Sequence, residues 1–179
     1  MKNFLAVASF TGLLSLATLG HTQALPTAVS HGAAQAGVGW TFANPDYGQK
    51  RIQGVTIFGD FDFTPHLGVE AEYHYISLIT PTDLGENSFL GGPRVIFPHG
   101  RFSFYGKGLV GIGDINIQLE ADNPQGGSGK YFAYGAGAGV DYRLTRHIVL
   151  RGDAEYQHWN YLHGLTPTVF TFGAAYRFR

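Results

Sequence analysis

The chain has 179 residues, 12 basic and 13 acidic side chains, a formal net charge of -1 and no cysteine. That balance gives no footing to a nucleic-acid partner, and the missing thiols exclude a disulfide framework, a thiol nucleophile and a lipidated cysteine. With 26 glycines and 15% aromatic against 14% charged residues, the composition favours strands over helices.

In chain order, Lys2 precedes an uncharged apolar stretch from Phe4 to Leu19, and Thr22 and Ala24 place small residues at minus three and minus one of a cut before Leu25. This layout predicts a signal peptide over 1–24, removed after Ala24, and a single domain over 25–179. The apolar stretch is shorter than the roughly 20 residues a spanning helix needs. Beyond it no apolar run approaches the ~18 residues of a membrane helix, so only a barrel could cross a bilayer.

The rest resolves into eight segments of period two: Ala33 to Phe42, Ile52 to Phe63, Leu67 to Ser77, Phe89 to Phe97, Phe102 to Gly113, Tyr131 to Leu144, Ile148 to Gln157 and Thr168 to Phe178. Long connections carry Asn44-Pro45-Asp46-Tyr47-Gly48, Thr80 to Asn87, Asp114 to Gly129, and Trp159 to Pro167. Short ones are Thr64-Pro65-His66, His99-Gly100 and Thr145-Arg146-His147. This alternation predicts an all-β fold: an eight-stranded antiparallel up-and-down transmembrane β-barrel with short periplasmic turns and four longer extracellular loops.

Each segment has one apolar face. Phe132, Tyr134, Ala136, Ala138, Val140, Tyr142 and Leu144 oppose Ala133, Gly135, Gly137, Gly139, Asp141 and Arg143. Leu67, Val69, Ala71, Tyr73 and Tyr75 oppose Glu70, Glu72 and His74. The charges Asp60, Asp62, Glu70, Glu72, Arg94, Lys107, Asp141, Arg143, Arg151, Asp153, Glu155 and Arg177 all share the other face. In a soluble barrel the apolar face turns inward, and in a membrane barrel outward.

The distribution of rings along the strands favours lipid. Phe61, Phe63, Phe97, Phe102, Tyr142, Tyr176 and Phe178 cluster near the short turns, and Trp40, Phe42, Tyr73, Tyr75, Phe132, Tyr134 and Tyr156 near the long loops. Small apolar residues such as Ala136, Ala138, Ala154 and Ala174 lie between. Two belts around an apolar band match two membrane interfaces. The charges then line a filled lumen as a structural network, with Asp141 opposite Arg151 across the last short hairpin. Arg94, Lys107 and Arg177 are the cations expected to serve Asp60, Asp62, Glu70 and Glu72. Ala138→Arg is expected to be costly in lipid, and Gly137→Ala on the lumen face milder.

Thr171-Phe172-Gly173-Ala174-Ala175-Tyr176-Arg177-Phe178 resembles the C-terminal signal of outer-membrane barrels, with Arg179 following the aromatic on which such strands end. The resemblance implies recognition by the barrel assembly machinery through Gly173, Tyr176 and Phe178. With Leu67-Gly68-Val69-Glu70-Ala71-Glu72-Tyr73, Phe89-Leu90-Gly91-Gly92-Pro93-Arg94 and Tyr105-Gly106-Lys107-Gly108, the chain resembles the small outer membrane protein β-barrel domain family and is similar to the transmembrane part of outer membrane protein A. That resemblance implies a non-enzymatic structural or surface-contact role in outer-membrane lipid, with no cofactor and a loop partner left open.

Two alternatives remain: a lipid-modifying barrel enzyme, and a soluble periplasmic barrel that binds an apolar ligand. For the enzyme the tempting cluster is Glu155, His158 and His163, but no serine stands near His158 in sequence, the nearest on strands being Ser77 and Ser103. His66, His99 and His147 sit in separate turns without metal-ligand spacing, so no metal is expected.

Overall fold

A computed structural model describes residues 32–45, 51–79, 84–117, 128–160 and 164–178. The expected cleavage after Ala24 lies outside these. Eight strands, β1 (Ala33–Asn44), β2 (Ile52–Asp62), β3 (Leu67–Ile79), β4 (Leu84–His99), β5 (Phe102–Ile117), β6 (Ser128–Arg143), β7 (Ile148–Trp159) and β8 (Thr168–Phe178), pair antiparallel with their sequence neighbours. β8 returns to β1, from Ala34 opposite Phe178 to Asn44 opposite Thr168, and closes the barrel. Closure leaves no free sheet edge, the condition for a β-structure in lipid.

The strands differ from the sequence expectation mainly at the long-loop end. β4 begins at Leu84 rather than Phe89, β5 continues to Ile117 and β6 starts at Ser128. Gly85-Glu86-Asn87-Ser88 shows no apolar alternation because a strand that projects beyond the lipid needs only its hydrogen-bond ladder. Asn87 and Ser88 nonetheless pair with Asp114 and Gly113. At the other end the turn expected at His99-Gly100 is Gly100-Arg101, since His99 still pairs with Phe102. Gly100 takes φ +63 at the first central position, where glycine is free of the Cβ penalty. A Cβ there meets nothing within 4 Å, so Gly100→Ala isolates backbone strain and should cost about 1–2 kcal/mol by equilibrium urea unfolding in detergent.

The other two short turns are copies of one design. Thr64 Oγ1 accepts from the backbone N–H of His66 and Leu67 at 3.2 and 3.0 Å, and Thr145 Oγ1 from His147 and Ile148 at 3.2 and 2.9 Å. In each, the histidine Nδ1 and carbonyl both engage a residue of the next strand: His66 engages Ile96 and His147 engages Arg177. The turn histidines thus extend the ladder by one position. β2 carries a bulge between Gln53 and Val55, where Gly54 lies so close to the Tyr75 carbonyl that no side chain fits.

Burial is inverted relative to a water-soluble fold. Ile57 is 60% exposed and Phe172 62%, while Arg94 is 1% and Lys107 5%. Outward-facing rings occupy both rims, among them Phe61, Phe63, Phe97 and Phe178 beside the short turns and Trp40, Tyr75, Phe132 and Tyr156 beside the loops. The band between is not uniformly small, since Phe172 lies within it, opposite Gly152 of β7. An apolar surface this extensive is untenable in water and is matched by a lipid core.

The interior is packed. Along β7, from short turn to long loop, the inward residues are Val149, Arg151, Asp153, Glu155, Gln157 and Trp159. Val149 packs with Phe58 and Ala175, and Trp159 with Leu90, Leu109, Ile115 and Ala133. A third apolar cluster, Ala43, Ile52, Ile76 and Val169, fills the loop-side ends of β1, β2, β3 and β8.

Candidate functional site: the charged lumen

Period-two strands place every second residue of β2, β3, β4, β5, β6 and β7 inside, and eight strands bring opposite walls within side-chain reach. Lys107 of β5 extends across the lumen to four carboxylates: Nζ lies 2.7 Å from Glu70, 2.9 Å from Glu72, 3.1 Å from Asp153 and 2.6 Å from Glu155. Gly137 gives it room, because a Cβ there would stand 2.8 Å from Lys107 Cε and 2.8 Å from Glu155 Cγ. Gly137→Ala, expected to be milder than Ala138→Arg, is therefore not free of cost: the space opposite this glycine is taken by the network.

Two arginines complete the cluster. Arg94 Nη1 lies 2.7 Å from Asp60, and its Nη2 donates to Asp141 at 2.5 Å. Arg151 donates through Nε to Asp141 at 2.7 Å, through Nη2 to Asp60 at 2.6 Å and through Nη1 to Glu70 at 3.2 Å. Asp141 and Arg151 are direct cross-strand partners. The guanidinium carbons lie over rings, Arg94 3.9 Å from the Tyr105 centroid and Arg151 4.1 Å from that of Phe58. Such cation–ring contacts suit a desolvated arginine. Tyr105 in turn donates to Asp153 at 2.5 Å, and Gln35 Nε2 to Asp60 and Asp141.

Of the twelve charged residues expected in one network, nine meet here. The other three lie at the short-turn rim. Among the described residues Arg177 pairs with Asp62, at 4.0 Å with both partly exposed, and Arg143 donates to the Gly100 carbonyl at 2.6 Å. Arg177 therefore does not serve the central acids, because β8 places it at the last inward position before the rim; Arg151 takes that role. Alternation places His74 on the polar face of β3, and in the barrel it is fully buried within the cluster. Its signal was present in the spacing Glu70, Glu72, His74, three consecutive inward positions of one strand. His74 Nδ1 is 2.6 Å from Thr56 Oγ1, and Thr56 joins Thr41 and Thr171 in a hydroxyl cluster.

The residues considered for hydrolysis are not assembled. Glu155 points inward, whereas His158 packs outside against the Tyr134 ring with centroids 5.0 Å apart. Ser77 donates to Asn87 at 3.1 Å, and Ser103 stands opposite Asp141 near the short turns. His163 lies outside the described residues.

A closed barrel with an apolar exterior, two rim belts of rings and a buried ionic interior defines a membrane-spanning β-barrel. The sequence profile of the outer membrane protein beta-barrel domain matches residues 10–178, and the chain belongs to that family. Among solved structures it is similar to Ail, the attachment invasion locus protein of Yersinia pestis, in complex with the heparin analogue sucrose octasulfate: 19% identity, 83% of this chain and 99% of that one, TM-score 0.59. Neisserial surface protein A shares 15% identity over 83% and 96% of the two chains, TM-score 0.61. OprG of Pseudomonas aeruginosa shares 15% identity over 83% and 96%, TM-score 0.63. At these identities the likeness is one of fold. No curated protein matches the chain.

Proposed function

We propose that the barrel is a non-enzymatic scaffold of the outer membrane that acts through surface contact by its extracellular loops. It would be exported by the segment 1–24 and assembled through recognition of β8 at Gly173, Tyr176 and Phe178. The packed lumen carries this reading: ion pairs and three apolar clusters fill the space a channel or apolar-ligand pocket would need. What the chain offers to its surroundings is then its loops. The separation of Glu155 from His158 favours the non-enzymatic reading.

The Ail structure contains a polyanionic sugar analogue. Here the loop segments 45–51, 80–83, 118–127 and 160–167 carry Lys50 and Arg51 against Asp46, Asp83, Glu120 and Asp122. A partner complementary to an acidic or neutral polar surface fits this balance better than a sulfated glycan.

Planar-bilayer recordings test the closed lumen, with no steady conductance expected; a large open pore would overturn it. For the loops, replacing residues 118–127 with a glycine-serine linker should leave heat-modifiable folding intact and abolish contact of expressing cells with whichever host or neighbouring surface the parent chain binds. Unchanged contact by every such loop variant would defeat the surface role.

A further inference from the structure

His74 is fully buried, yet its Nε2 makes no hydrogen bond. It stands 3.4 Å from Glu72 Oε1 and 3.4 Å from Glu155 Oε2, and Glu72 Oε1 is likewise without a hydrogen-bond partner. A buried imidazole nitrogen aimed between two carboxylate oxygens, within ion-pair distance of both but hydrogen-bonded to neither, requires either a proton on the nitrogen or a cation among the three. The two separations from His74 match the edge of a tetrahedral metal site. Ligand atoms about 2.0–2.1 Å from one tetrahedral ion stand about 3.4 Å apart along each edge. One atom from each of the three residues lies within 4.8 Å of the others.

We propose that Glu72, His74 and Glu155 form a three-ligand site inside the barrel for one divalent first-row transition-metal ion, with Zn²⁺ as the best fit. The surroundings are those of an oriented metal site. The far nitrogen of His74, Nδ1, is held by Thr56 at 2.6 Å, and Nδ1–H donation to that hydroxyl leaves the Nε2 lone pair facing the carboxylates. Lys107 grips the opposite oxygen of each carboxylate, Oε2 of Glu72 at 2.9 Å and Oε1 of Glu155 at 2.6 Å, and so turns the remaining oxygens toward His74. Charge favours a cation as well. In the cluster, the carboxylates of Asp60, Glu70, Glu72, Asp141, Asp153 and Glu155 outnumber Arg94, Lys107 and Arg151 by three. A divalent ion would offset two of those three negative charges. Three protein ligands leave a fourth position for water, which suits an oxygen- and nitrogen-rich zinc site.

Because the site is sealed, metal must enter as the barrel folds. The full-length mature protein is refolded from urea into detergent with Zn²⁺, passed through gel filtration with a weak chelator, and assayed for bound metal. One Zn²⁺ per chain is expected in the parent and in a Asp62→Asn control at the rim, with loss of most of it in His74→Gln. Equal metal in His74→Gln would assign the binding to surface histidines and overturn the proposal, as would a metal-free parent, which would leave the triad a protonated histidine between two carboxylates. If His74→Gln does not fold, the parent refolded with Co²⁺ decides: the strong visible absorption of a four-coordinate centre supports the site, and only the weak spectrum of hydrated cobalt rejects it.

Discussion

Arg151→Ala is expected to destabilise the folded barrel by about 3–5 kcal/mol, the cost of stranding buried charge when one partner of a desolvated ion pair is removed. Arg151 is 4% exposed and is the shared donor of Asp60, Glu70 and Asp141, three carboxylates on three strands. Without it, Arg94 is the cation left to Asp60 and Asp141, with the neutral Gln35 amide beside it. The loss includes packing as well, since the guanidinium covers Phe58. Arg177→Ala is the matched comparison: its contact with Asp62 is 4.0 Å long and partly exposed, so the change should be within about 1 kcal/mol. Reversible urea unfolding in lipid vesicles, read by tryptophan fluorescence, measures both. Similar losses for the two variants would mean that the central network contributes no more than a rim pair.

The second large effect comes from the opposite face. Ala138 sits in the middle of β6, between Gly106 of β5 and Ala154 of β7, and points outward. An arginine there must reach through the apolar band, so Ala138→Arg should cost about 2–4 kcal/mol in a bilayer, against about 0–1 kcal/mol for Leu144→Arg beside the short turn. The two should differ little in urea-dependent behaviour if the apolar face were merely wet. Gly137→Ala on the lumen face carries a penalty of its own, about 1–3 kcal/mol from overpacking against Lys107 and Glu155. Gly108→Ala, outward with nothing within 4 Å of the new methyl group, is the substitution expected to be close to neutral.

Much of this architecture is readable one strand at a time. Alternation is local, so Glu70, Glu72 and His74 declare a common face without reference to the fold, and the depth of Phe61, Phe178, Trp40 and Tyr156 along their strands declares which face meets lipid. Hairpin register is nearly as local: a turn at Thr145-Arg146-His147 sets Asp141 opposite Arg151. Strand ends beyond the lipid carry no such mark, because Glu86, Asn87 and Ser88 pair through their backbone with no apolar face.

Sequence by itself therefore determined the strands, their faces, the alternation of turns and loops, and the inversion of the sheet toward lipid. Only the tertiary structure decided which charges meet. Lys107 finds Glu70 and Glu72 two strands away on one side and Asp153 and Glu155 two strands away on the other, and His74 finds Glu155 across the lumen. Those distances depend on strand tilt, on the stagger with which β8 closes onto β1, and on the room left by glycines such as Gly137. They are properties of the closed barrel as a whole, with no counterpart in any single stretch of chain.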